Sequence, residues 1–358
     1  MSIERDVLKK GMTDGHYADT DPADQLAQRT LFIEQYSTEV MLEYRDSLMF
    51  ANRTRRKQLR GSKSWNFPLL GNVGAQYHAP GTRITAQDVE RNTRSIGLDA
   101  VYYSAVWVAE IDDIMQYTDE RQQYSYLMGQ ELAEAVDTAI AQEIVKGALS
   151  VNDVDGRPGG IVLESDKFMI DDPNPDSAED GVEQALYLAA GIFALAAEWD
   201  ERNIPEANRW LVFSPAEYYT LLNNLDLIAK EYNGRGSIAE GTILRIAGFD
   251  IIKSTMVPHT DTTASDVFHG VDASKVVGLA FTPESAATVV AKDVTMEVEW
   301  NLEYFAWLIT ARQAMGHGFL RPECCAVFSL DNGVYLSSNS IMEDITITEG
   351  SVNALNHQ

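Results

Sequence analysis

The chain is 358 residues long, 45% hydrophobic and 23% charged, the composition of soluble folded material in one large or two modest domains rather than of a disordered tail. Its formal net charge of -26 argues against a general nucleic-acid binder, which needs a basic surface to neutralise phosphates. Two adjacent cysteines, Cys324 and Cys325, give no disulfide framework and point to a reducing compartment.

Residues 1–23 are polar, with Gly, Asp and Pro, and read as a mobile arm; their opening "MSIERDVLKKGM" has no apolar core of the kind a signal peptide needs. From 24 to 50, Leu26, Phe32, Tyr36, Val40, Met41 and Tyr44 recur at helical spacing. A basic stretch follows. No acid lies between Asp46 and Asp88, while Arg53, Arg55, Arg56, Lys57, Arg60, Lys63 and Arg83 do. The first 100 residues hold 14 basic and 13 acidic groups; the other 258 hold 14 and 41. The plain reading is a solvated basic face. The sharper one is that this segment meets the acidic surface of another copy.

"KSWNFPLLG" (63–71) puts Trp65, Phe67, Leu69 and Leu70 into nine residues, too broken for a helix and too apolar for an idle loop. "GAQYHAPGTRIT" bends the chain at Gly74, Pro80 and Gly81. "SIGLDAVYYSAVWVAEI" (95–111) alternates and predicts a strand. Residues 58–105 therefore predict a long two-stranded excursion, marginal in water unless another surface covers it.

Residues 117–149 predict the main helix, with Tyr124, Met128, Leu132, Val136, Ile140 and Ile144 on one stripe. At ~1.5 Å per residue it is a rod of ~45 Å. "VNDVDGRPGG" and "DDPNPDSAEDG" are polar loops. Residues 185–199 predict a buried helix, too short to span a membrane. "RWLVF" is a buried strand. Ser214, Pro215 and Glu217 fit a capping box with proline at the first helical position. "NGRGSIAEGTILRIAGFDIIKS" is a loop, then strand material ending near Ser254. This succession predicts a mixed α/β unit over about 180–290. "VTMEVEW", "YFAWLITARQAM" and "CCAVFSL" are strands that return to the long helix. After Leu330 comes a polar tail with one strand-like patch, "DITIT".

Reactive chemistry is scarce. "NGRGSIAEG" matches neither a dinucleotide fingerprint nor a P-loop, and no G-x-S-x-G or H-E-x-x-H occurs. "DVDGRPGG" resembles part of a calcium loop, yet Val151 and Val162 stand at its first and last ligand positions. The six histidines have no ligand spacing, and His317 in "MGHGF" reads as a turn or interface residue. The basic "RTRRKQLR" favours a protein contact over nucleic acid. No enzyme activity, cofactor or metal is expected.

A resemblance now becomes specific. "GSKSWNFPLLGNVGAQYHAPG" (61–81) is similar to the extended-loop segment of major capsid proteins from short-tailed phages of the autographivirus group. "AMGHGFLRPE" (314–323) resembles their C-terminal signature. "EIDDIMQYTDERQQYSYLMGQELAEAVDTAI" resembles the entry to their long helix, and "NRWLVFSPAEYYTLL" and "GSIAEGTILRIAGFDIIKSTMVPH" resemble pieces of their apical domain. The likeness runs in order over about 24–330.

It implies the α+β, Hong Kong 97-type capsid fold: an N-terminal arm (1–57), an extended loop (58–105), a peripheral domain (106–180 and 291–335) with its spine helix, an axial domain (181–290) and a tail (336–358). The resemblance further implies a shell of hexamers and pentamers around double-stranded DNA, assembled in the host cytoplasm and matured from a rounded precursor. The implied partners are further copies of the chain, a scaffolding protein, a portal, decoration proteins and DNA held without sequence recognition, with no membrane. Arm and loop contacts between subunits fall to Arg53, Arg55, Arg56, Lys57, Arg60, Lys63, Trp65, Phe67, Leu69, Leu70, Tyr77 and Pro80. Axial contacts fall to Asn233 and Arg235, and the peripheral motif to His317 and Arg321. Some related capsids cross-link lysine to asparagine; Lys63 lies near the right loop but lacks a matching acid and asparagine, so a non-covalent shell is expected. The alternative is an encapsulin-like compartment of the same fold around an enzyme cargo.

Overall fold

The long helix, α1 (Arg121–Leu149), organises the chain. Its 29 residues give a rod of ~43 Å. Met128, Leu132, Val136, Ile140 and Ile144 are all buried, so the four-residue spacing seen in the sequence is the core face. The computed structural model describes residues 39–45, 47–71, 73–75, 77–78, 80–81, 83–84, 89, 91–109, 121–152, 157–168, 178–222, 245–330 and 346–349. The expected start of the helix at 117 lies outside them, as do residues 1–38, the glycines at 234, 236 and 241, and most of the tail.

Strands of two sheets pack against α1. The first sheet runs β1 (Arg55–Gln58), β10 (Ala286–Asn301), β11 (Ala306–Phe319), β4 (Val101–Ala109); β1 is parallel to β10 and the other pairs are antiparallel. The second has seven strands in the order β13 (Thr346–Glu349), β5 (Ile161–Glu164), β12 (Cys325–Ser329), β9 (Val276–Phe281), β6 (Arg209–Phe213), β8 (Phe249–Lys253), β7 (Arg245–Ile246). A Cβ on Gly147 would come within 2.7 Å of Cys325 Sγ, so the helix lies directly on β12. On the second sheet, α2 (Ala178–Glu201) buries Leu188, Ile192, Leu195 and Trp199 against Leu211, Phe213, Phe249 and Phe328. A separate two-stranded sheet pairs β2 (Ser64–Leu70) with β3 (Arg91–Gly97).

The chain before β1 is tied to α1 twice. The helical residues 39–45 cross it at Gly129, where a Cβ would meet the Val40 carbonyl at 2.8 Å. Further on, the Asp137 carboxylate accepts backbone N–H bonds from Met49 (2.5 Å), Phe50 (3.1 Å) and Ala51 (3.0 Å). Burial raises its pKa above the usual carboxylate range, and the three donors only partly offset that. Asp137→Ala strips three donors of one acceptor and should cost about 2–3 kcal/mol in denaturant unfolding. A loss under about 1 kcal/mol would mean that water replaces the carboxylate.

Several expectations need correction. The single strand over 95–111 is two strands in different sheets, β3 and β4, separated by residues 98–100, where Asp99 bonds to Met315 and His317 of β11. Ser214 caps α3 (Pro215–Leu221) with extended backbone and Pro215 follows as expected, but no side-chain capping bond forms. The helix over 185–199 is half-buried rather than enclosed, with Leu186 and Phe193 exposed. The strand-like patch of the tail is a strand as expected: Thr346–Glu349 form β13, which pairs with β5. The seven-stranded sheet joins β12, from the segment expected to be peripheral, to β9 and β6, from the segment expected to be axial.

Candidate assembly surface

The β2–β3 hairpin has a fixed register: Trp65 opposite Ile96, Phe67 opposite Arg94, Leu69 opposite Asn92. Alternation places Trp65, Phe67 and Leu69 on one face and Leu70 on the other. The four expected anchors then divide. Leu69 is buried, and Phe67 packs half-buried against a small cluster of Leu59, Ile96, Ala287, Val289 and Leu320 in its own chain. Trp65 remains 39% exposed, with Lys57 Nζ 4.5 Å above its ring, and Leu70 is 51% exposed. Val73, Tyr77, Pro80 and Ile84 beyond the strand are exposed. One side of the hairpin thus docks on the body, and its outer part offers apolar groups to solvent.

Part of the basic stretch is answered within the chain. Arg53 Nη1 donates to the Met49 carbonyl at 2.7 Å. Arg55 and Arg321 meet opposite oxygens of Glu284 at 3.1 and 2.5 Å, and Arg56 meets Asp293 at 2.9 Å. Exposed pairs such as Arg55–Glu284 and Arg56–Asp293 contribute at most about 1 kcal/mol. They form because β1 lies parallel to β10, which brings those distant acids alongside. Arg60, Lys63 and Arg83 are exposed. Asn233 and Arg235 lie outside the described residues.

His317 does not lie in a turn. It sits inside β11, 6% exposed, with Nδ1 3.0 Å from Thr288 Oγ1. Burial pushes its pKa down to about 4, so it is neutral at pH 7. Its flanking glycines suggested a turn; they instead permit close approach in a strand. A Cβ on Gly316 would lie 1.9 Å from the Gly97 carbonyl oxygen, and one on Gly318 3.0 Å from the Ile96 side chain. The "GHG" triplet is the seat of the hairpin's root.

The sequence reading also missed an aromatic tip. In the turn between β10 and β11, Leu302, Tyr304 and Phe305 are exposed. Below them Trp107 packs on Tyr304 and Trp300 on Trp307, with ring centroids 5.2 and 5.0 Å apart. "EYFAW" carried the signal in its aromatic content, but β-rich patterning alone does not tell a buried strand from a projecting turn.

Among the described residues no group of three or more His, Cys, Asp or Glu side chains is placed to hold a metal ion, and no helix is long and apolar enough to cross a membrane. The family model described as Gp10A-like, major capsid protein, matches residues 66–329. The major capsid protein of Enterobacteria phage T3 is 27% identical over 334 residues, covering 86% of this chain and 93% of that protein. The capsid structure of cyanophage P-SCSP1u is similar at a TM-score of 0.69 and 28% identity, over 80% of this chain and 89% of that one. The mature capsid of bacteriophage PhiM1 shares the fold at a TM-score of 0.66 and 18% identity, over 80% and 88%. The fold is the α+β, Hong Kong 97-type capsid fold, in which a long helix, a projecting hairpin and two sheets are assembled from the segments described above. With nearly three-quarters of its length inside the family match, the chain belongs to the Gp10A-like major capsid proteins, which are structural, not enzymatic, and form the icosahedral shell of a phage virion.

Proposed function

We propose that the extended hairpin is the principal contact between subunits. Trp65, Leu70, Tyr77 and Pro80 pack across the peripheral region of a neighbouring copy, and Arg60, Lys63 and Arg83 lie near its acids. The observation that carries this is the division of the hairpin, docked through Phe67 and Ile96 with Leu69 buried, but leaving Trp65 and Leu70 part-exposed. Apolar burial at ~25 cal/mol per Å² gives each such contact a few kcal/mol. Repetition around a closed shell makes weak contacts collectively strong.

In this reading residues 58–105 are the extended loop, 106–180 and 291–335 the peripheral domain, and 181–290 the axial domain whose Asn233 and Arg235 meet at capsomer centres. Hexamers and pentamers form with a scaffolding protein and a portal, and the shell closes without covalent links. The acid-rich body keeps the wall from adhering to enclosed DNA.

Electron microscopy of the purified full chain, alone and with its scaffold, tests the reading. Closed icosahedral shells are expected in at least one condition. A stable monomer or small oligomer in both would overturn it.

A further inference from the structure

β3 of the hairpin runs into β4 through residues 98–100, and Asp99 stands at the middle of that junction. Its backbone N–H donates to the Met315 carbonyl (3.1 Å), and its Oδ2 accepts the backbone N–H of His317 (3.1 Å). The same oxygen lies 3.0 Å from Nε2 of His269, whose Nδ1 is 3.0 Å from Glu143 Oε1 on α1. His269 is only 2% exposed. Glu143 is fixed in turn: Lys146 donates to Oε1 at 2.8 Å and the Phe319 N–H to Oε2 at 3.2 Å. Lys146 also donates to the Phe268 carbonyl (3.1 Å), which holds the loop carrying His269 against the helix. One imidazole therefore bridges the base of the hairpin and the long helix.

The charge state follows from geometry. An ionised carboxylate only accepts hydrogen bonds, so a ring bonded to two of them needs an N–H on both nitrogens, which only the imidazolium has. Every charged or titratable group facing the ring fits. Asp99 comes from the junction, Glu143 and Lys146 from α1, and Asp266 from the ring's own loop, where it accepts the N–H groups of Phe268 and His269. His317 of β11 lies 5.7 Å away between ring centroids, neutral above about pH 4, with Tyr102 of β4 behind it.

We propose that His269 is a positioning residue, an imidazolium clamp that ties residues 98–100, at the base of the hairpin, to α1, and that losing its proton loosens the hairpin at that base. The clamp is a property of the single chain. Its consequence for assembly rests on the hairpin contact proposed above, and the test below reads the clamp without any shell.

The direction of the pH effect is fixed. Burial alone lowers the ring's pKa, but the bonds to Asp99 and Glu143 outweigh it and raise the value from 6.5 to about 9. With Asp99 and Glu143 ionised, the clamp is at full strength at pH 6.5 and is lost as pH rises through about 9.

The test is a spin-label distance in the full chain, between Asn66→Cys on β2 and Glu131→Cys on α1. The native Cys324 and Cys325 are buried, and excess unlabelled chain restricts the signal to distances within one molecule. Wild type should give one narrow distribution at pH 7 that broadens as pH passes about 9. His269→Gln, which cannot donate to both carboxylates, should be broad already at pH 7 and show no step. Glu143→Gln should move the step to lower pH, and this arm together with wild type decides the matter if His269→Gln does not fold. A wild type that stays narrow throughout, a His269→Gln variant that keeps the narrow distribution or the same step, or an unmoved step in Glu143→Gln, would each overturn the clamp.

Discussion

Replacing Trp65 and Leu70 together by alanine should suppress shell closure far more than it lowers the subunit's own stability. Leu70 is 51% exposed and Trp65 39% exposed, with Lys57 over its ring, so truncating them removes only part of the packing within the chain. If a neighbour covers them in the shell, each contributes about 2 kcal/mol there. Losing both raises the critical concentration for assembly by roughly two to three orders of magnitude, since ~1.4 kcal/mol is tenfold. Phe67→Ala is the internal contrast. It should destabilise the root of the hairpin, because Phe67 packs on the cluster of Leu59, Ile96 and Leu320 within the chain. Light scattering during assembly and thermal melting of the subunit separate the two effects. Normal assembly by the double variant would remove Trp65 and Leu70 from the interface.

Gly316→Ala should detach the hairpin's root from the body. The added methyl would sit 1.9 Å from the Gly97 oxygen, 2.9 Å from its carbonyl carbon and 3.0 Å from Leu98 Cα. All three are backbone atoms of the hairpin's base, so no side chain can rotate away, and either β11 or the hairpin must shift. The shift breaks the Asp99 bonds to Met315 and His317 and opens the small cluster around Ile96. A loss of about 3 kcal/mol is expected, with fast amide exchange through β2 and β3 and no shells. Gly318→Ala should be milder, because its methyl meets only the flexible Ile96 side chain at 3.0 Å. Equal losses in the two variants would show that the close approach at Gly97 is not what requires glycine.

The comparison between sequence and structure turns on distance along the chain. The long helix was legible because its pattern is local: five buried residues from Met128 to Ile144 recur every four positions, and each repeat reinforces the same face. β6 and the proline-led start of α3 were legible for the same reason. The glycines around His317 were misread because glycine permits both a turn and a close approach, and the partner that decides is the hairpin's base, more than 200 residues earlier. The stretch over 95–111 alternates throughout because β3 and β4 both alternate; what divides it is the partner, β2 for β3 and β11 for β4, far away in sequence.

By itself, the sequence determined the class of the protein and its materials: a long helix, an apolar hairpin next to a basic stretch, an acid-rich body, and five motifs in order that point to a capsid subunit. The tertiary structure alone decided how those materials are used. Alternation along β2 turns Phe67 and Leu69 inward and Leu70 outward, and Trp65, on the face of Phe67, stays 39% exposed beneath Lys57. The parallel pairing of β1 with β10 gives Arg55 and Arg56 partners in their own chain. The packing of loop, helix and junction brings Asp99, Glu143 and His269 within hydrogen-bond distance. Local patterns encode which face of an element is apolar, but contacts between residues far apart in sequence have no period to read, and they exist only once the chain has closed.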